Sequence, residues 1–72
     1  MDEKYKGTIV HLNEEKGFGF IEVEGYDKNI FFHAKDCRQI RYEQLRKNDI
    51  VQIGSIESND KGFTAREVYL VK

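Results

Sequence analysis

Proline and tryptophan are absent from the 72 residues, and cysteine occurs once. With no proline and no low-complexity stretch there is no linker signal, and a chain this short has room for one core. Residues 1–72 are therefore expected to form a single domain. One cysteine cannot close an internal disulfide, and a lone thiol suits a reducing, cytoplasmic setting. No apolar run approaches the roughly 20 residues of a membrane-spanning helix, and no apolar secretory segment follows Met1, so no membrane partner is expected. Charge of one sign is lacking too: 12 basic side chains face 13 acidic ones, so no global field draws the chain to polyanions. These absences exclude a disulfide-stapled secreted scaffold, a metal-stapled one and a membrane protein. What is there, 39% hydrophobic and 35% charged residues, describes a soluble folded domain.

Turn signals come from Gly, Asn and Asp: Gly7, Asn13 with Gly17, Gly25 with Asp27 and Asn29, Asn48-Asp49, Gly54 and Asn59-Asp60-Lys61-Gly62. The runs between them are short and rich in β-branched and aromatic residues. Five strands are predicted, over 5–12, 18–23, 30–33, 50–56 and 63–71. Residues 35–47 lack strand patterning and are too irregular for a long helix, so a helical turn near 34–37 followed by a long loop is expected. Five short antiparallel strands in so small a chain suggest an all-β closed barrel, because closure removes exposed sheet edges. Charge is uneven: residues 1–37 hold 5 basic and 8 acidic side chains, residues 38–72 hold 7 and 5. The long loop gathers Arg38, Arg41, Arg46 and Lys47, either a solvated surface or a phosphate contact.

The segment Lys16-Gly17-Phe18-Gly19-Phe20-Ile21-Glu22-Val23 carries the chemistry. Alternation puts Phe18, Phe20, Glu22 and Glu24 on one face and Ile21 and Val23 on the other. Carboxylates are rarely buried unpaired, so the glutamate face is the solvent face and two phenylalanines point outward. In Asn29-Ile30-Phe31-Phe32-His33, Ile30 and Phe32 point inward, while Phe31 and His33 are in phase with polar Asn29. Two neighbouring strands thus expose Phe18, Phe20, Phe31 and His33 together, with Lys16 at the margin. Soluble monomers rarely show such a patch without a use. Flat rings in a row stack on unpaired bases, and nearby cations hold phosphates. The competing reading is a bulge that breaks the phase and returns the rings to the core.

Lys16-Gly17-Phe18-Gly19-Phe20 with Ile30-Phe31-Phe32-His33 resembles the paired ribonucleoprotein motifs of the cold-shock domain. The order of the two motifs and the lack of helices set it apart from the RNA-recognition motif. Gly7, Ile9 and Asn13 in the first strand, Ile21-Glu22-Val23-Glu24-Gly25, Tyr42 through Leu45, and Lys61-Gly62 with Ala65 and Val68 extend the likeness over most of the chain. The resemblance implies a five-stranded OB-fold barrel with a long loop between strands 3 and 4. It places stacking residues at Phe18, Phe20, Phe31, His33 and Tyr42, and cationic contacts at Lys16 and Lys61. The chain departs from the family at Val10-His11-Leu12, where Lys-Trp-Phe is usual, so His11 stands in for a stacking Trp. Ala34 replaces a frequent Phe, and Phe63 replaces a proline and is a candidate compensating stacker. Binding is therefore expected, weaker than the family's.

The resemblance implies sequence-tolerant binding of single-stranded RNA or DNA, in the manner of an RNA chaperone or cold-shock-type regulator. The alternative is a protein-interaction module on the same barrel, docking a protein on the aromatic patch; exposed Glu22 and Glu24 favour it. No enzyme, cofactor or small-molecule substrate is indicated. His11, His33 and Cys37 lack metal-ligand spacing, and Gly17-Phe18-Gly19 has no phosphate-loop ending. A monomer is expected, with dimerisation left open.

Overall fold

The computed structural model describes residues 5–38, 41–60 and 62–70. Five strands form: β1 (Tyr5–Asn13), β2 (Phe18–Val23), β3 (Ile30–His33), β4 (Ile50–Asn59) and β5 (Gly62–Leu70). They close into a barrel in the order β1-β2-β3-β5-β4. Among its described residues, the long connection between β3 and β4 contains two short 3-10 turns, Ala34–Asp36 and Tyr42–Gln44. The second was not anticipated.

One pairing departs from the antiparallel expectation. β3 and β5 run parallel, with Phe31 opposite Thr64, while β1·β2, β2·β3, β4·β5 and β1·β4 are antiparallel. The reason is parity: strands in a closed ring of five cannot alternate in direction throughout, so one seam must be parallel. β3 is only four residues long, and the bridge Cys37↔Val68 continues the contact with β5 beyond it.

The inward faces of all five strands fill the barrel. Ile9, Ile21, Ile30, Phe32, Val51, Ile53, Ala65 and Val68 are fully buried, joined by Leu45 from the long connection. In β2 and β3 this interior alternates with the outward series Phe18, Phe20, Glu22 and Phe31, His33, as the phase argument requires.

β1 does not alternate evenly. Ile9 faces Ile21, but His11 faces Phe20, so the register slips by one residue at Val10. Such a bulge turns the following residues over. His11, which strict alternation would place on the inner side with Ile9, lies exposed on the outer face, and Leu12 turns inward opposite Gly19.

Tyr42 corrects the sequence reading. It was expected to stack, but it is 9% exposed and belongs to the core, its ring 6.1 Å from that of Phe32. Its hydroxyl donates a hydrogen bond to the Phe18 carbonyl, tying the long connection to the start of β2. Burial pushes this phenol's pKa above its ordinary value.

Candidate nucleic-acid interface

The outer face of β1, β2 and β3 brings four expected rings together. Phe20 is the hub: its centroid lies 6.0 Å from His11, 5.9 Å from Phe18 and 5.8 Å from Phe31. Phe18 and Phe31 are 5.5 Å apart and inclined by 33°. All these separations lie within the range of favourable aromatic contact. The strand register explains them. Phe20 pairs with His11 on one side and Phe31 on the other, so three strands place one ring each on a common transverse line. His33 pairs with Phe18 on the next outward row.

The turn into β2 is built locally. The Asn13 carboxamide oxygen accepts the Lys16 N–H (3.1 Å) and its carbonyl accepts the Gly17 N–H (2.8 Å). Gly17 has φ +74°, left-handed backbone that a side chain would strain. Its carbonyl receives the Ala34 N–H at 2.8 Å, fastening the end of β3 to the start of β2. Lys16 is exposed at this rim.

His33 is held by the 3-10 turn that follows it. Its Nδ1 accepts the Lys35 N–H (3.3 Å), and its backbone N–H donates to Asp36 Oδ2 (3.2 Å). Asp36 is buried, with its other oxygen 3.8 Å from Arg66 Nε. This reciprocal capping of a short turn was missed in the sequence; its signal was the spacing of His33 and Asp36, an acceptor followed three residues later by another.

The remaining candidates divide. Phe63 and Thr64 of β5 form the far wall of a cleft of about 420 Å³ that Phe20, Phe31 and Asn59 complete. Lys61 lies outside the described residues. Two arginines of the basic loop are occupied locally: Arg38 donates to the carbonyl of Lys35 (2.9 Å), and Arg46 to those of Glu43 (2.8 Å) and Leu45 (3.0 Å). These guanidiniums fasten turns. Glu22 is exposed on the same side of β2 as the rings.

Among the described residues no cluster of His, Cys, Asp and Glu is arranged to hold a metal ion, and no helix is long and apolar enough to cross a membrane. Cys37 is half-buried, and burial, aided by the Asp36 carboxylate, pushes its thiol up to about 11. Since the thiolate is the nucleophile, iodoacetamide at pH 8 should alkylate native Cys37 on the order of 100-fold more slowly than the urea-unfolded chain. Equal rates in the two states would show that the folded environment does not protonate it.

Comparison with known proteins agrees with this architecture. Residues 5–71 match the "Cold-shock" DNA-binding domain family. The chain is 40% identical over 63 residues to cold shock protein CspA of Staphylococcus aureus (strain USA300), covering 88% of this chain and 92% of that protein. Identity and coverage are the same with the CspA of Staphylococcus haemolyticus. A solved structure, Drosophila Unr CSD456, superposes with a TM-score of 0.77 at 24% identity, over 99% of this chain and 28% of that one, a likeness of fold. Barrel order, motif positions and these matches agree: the chain belongs to the cold-shock domain family.

Proposed function

We propose that the domain binds single-stranded RNA or DNA with little sequence preference, stacking unpaired bases on His11, Phe18, Phe20, Phe31 and His33. The observation that carries this reading is the contiguous set of outward-facing rings, His11 exposed and the phenylalanines half-buried, spaced 5.5–6.0 Å apart across three strands. Stacking is worth roughly 1–3 kcal/mol per base and tolerates any base, because every base has a π-face. Lys16 and Lys61 supply the phosphate contacts and Phe63 a further apolar wall. The family name and the CspA relatives support a cold-shock role. By holding open strands, the domain shifts RNA away from secondary structure by mass action, as an RNA chaperone working without ATP, cofactor or chemistry on its ligand. We read it as a cytoplasmic monomer.

Fluorescence anisotropy with a labelled decathymidine tests this. Two cationic contacts give log K a slope against log salt of about −1.4, since each single-strand phosphate contact contributes roughly −0.7. A duplex of matched composition should bind more weakly, because exposing its bases costs about 1.4 kcal/mol per step. No affinity for the single strand at low salt would overturn the proposal. It would leave the protein-docking alternative, which the carboxylate of Glu22, exposed on the same side of β2 as the rings, favours.

A further inference from the structure

The aromatic surface does not end at Phe31. The Phe20–Phe31 cleft shares two of its lining residues, Phe63 and Asn59, with a second cleft of about 520 Å³ between the β2–β3 turn and the β4–β5 turn. Tyr26 forms part of its wall and meets Phe63 edge-to-face, centroids 5.0 Å apart at 84°. Tyr26 is half-buried, anchored by its N–H to the Val23 carbonyl (3.1 Å) and by ring contact with Tyr5 at 6.1 Å. An aromatic ring thus stands within an otherwise polar turn, Gly25-Tyr26-Asp27-Lys28-Asn29. It adjoins the proposed base-stacking face through one shared phenylalanine.

We propose that the Tyr26–Phe63 cleft is a further base subsite, which receives one unpaired base of a strand already lying across Phe20 and Phe31. This rests on the reading of that face as a base-stacking surface. The occupant follows from continuity: a strand leaving Phe31 toward β5 meets Phe63 and then Tyr26, in a cleft of the size that small planar ligands fill. Its charge differs from that of the main face. Among the described residues Asp27 and Asp60 line it with Lys28, so the attraction that Tyr26 adds comes from its ring. The stacking that Tyr26 contributes involves no charge, so the affinity lost on its removal is nearly independent of salt, unlike that lost at the Lys16 rim.

The test compares Tyr26→Leu, which keeps apolar packing and removes the aromatic face, with wild type on a tetranucleotide and a decanucleotide of deoxythymidine. The tetranucleotide has fewer bases than the main face has rings and is expected to occupy that face alone. Tyr26→Leu should lower decanucleotide affinity about 5- to 150-fold, one stacked base, at low and moderate salt alike, and leave the tetranucleotide unchanged. A thermal melt confirms that the variant is folded. Equal losses on both lengths, or none on the decanucleotide while Phe31→Ala still weakens both, would overturn the subsite and leave the main face intact. Wild-type protein that binds neither length would overturn the stacking reading and the subsite with it.

Discussion

Phe32→Ala should unfold much of the population, whereas Phe31→Ala, one residue away and identical in chemistry, should leave the fold standing. Phe32 is fully buried, touches the ring of Tyr42 and fills the space beneath Gly19. Truncating such a side chain costs roughly 3–5 kcal/mol through lost burial and the cavity left behind. The whole domain is held by about 4–11 kcal/mol at the usual stability per residue. Phe31 lies half-buried on the outer face, its ring against those of Phe18 and Phe20 and outside the barrel core. Its removal should cost about 1 kcal/mol of stability or less, and roughly 1–3 kcal/mol of oligonucleotide affinity. Thermal melts and oligonucleotide titrations on the two variants separate the effects. A folded, binding-competent Phe32→Ala beside an unfolded Phe31→Ala would mean that the two faces are exchanged.

Gly19→Ala is expected to destabilise the domain by about 1–3 kcal/mol, a large effect for one methyl group on a surface strand. Gly19 separates the outward Phe18 and Phe20 and points into the barrel. A Cβ there would lie 2.6 Å from the His11 carbonyl oxygen and 2.7 Å from Phe32 Cε1. Neither neighbour yields cheaply: one is backbone at the β1 bulge, the other a ring packed in the core. Relief requires β1 to move away from β2, which separates His11 from Phe20. Binding should therefore fall along with the urea midpoint, although no ring of the outer face has been altered. A midpoint equal to wild type would show that the interior has room where none is seen. The requirement for glycine thus comes from Phe32, whose ring occupies the volume that a side chain at position 19 would need.

Much of this site was legible because the two faces of β2 and β3 differ in chemistry. Glu22 and Asn29 fix the outward phase, and Ile21, Ile30 and Val23 fix the inward one, so the placement of Phe18, Phe20, Phe31 and His33 needed only alternation. His11 was legible through resemblance alone. The bulge at Val10 leaves no mark in residue type, and strict counting from Ile9 points His11 inward. Tyr42 shows the opposite weakness. Resemblance gave it a stacking role, while its position in a single 3-10 turn with Leu45 buried just beyond the end gave too short a pattern to reveal burial. Tyr26 went unread because a lone aromatic among polar turn residues acquires meaning only when β5 brings Phe63 beside it. Asp36, a buried carboxylate, needed knowledge of Arg66 from the far end of the chain.

The two seams that close the ring bear on how the chain acquires its shape. β1, β2 and β3 pair with neighbours in sequence, as do β4 and β5, across the turn where Asn59 faces Gly62. Closure depends on pairings between distant segments, Tyr5 with Ile53 and Phe31 with Thr64. Loop-closure entropy must be overcome before such contacts stabilise anything, which places small barrels on the millisecond-to-second side of folding rates. On the ribosome the meander of β1, β2 and β3 emerges first, with its outer rings and its inner Ile9, Ile21, Ile30 and Phe32 bare together. Both surfaces of one nascent sheet are then adhesive, until the local β4–β5 hairpin forms and covers the inner one. The synthesis of β4 and β5 and the closing of the two long-range seams, rather than the fast local hairpin, set how long the newborn chain is open to aggregation.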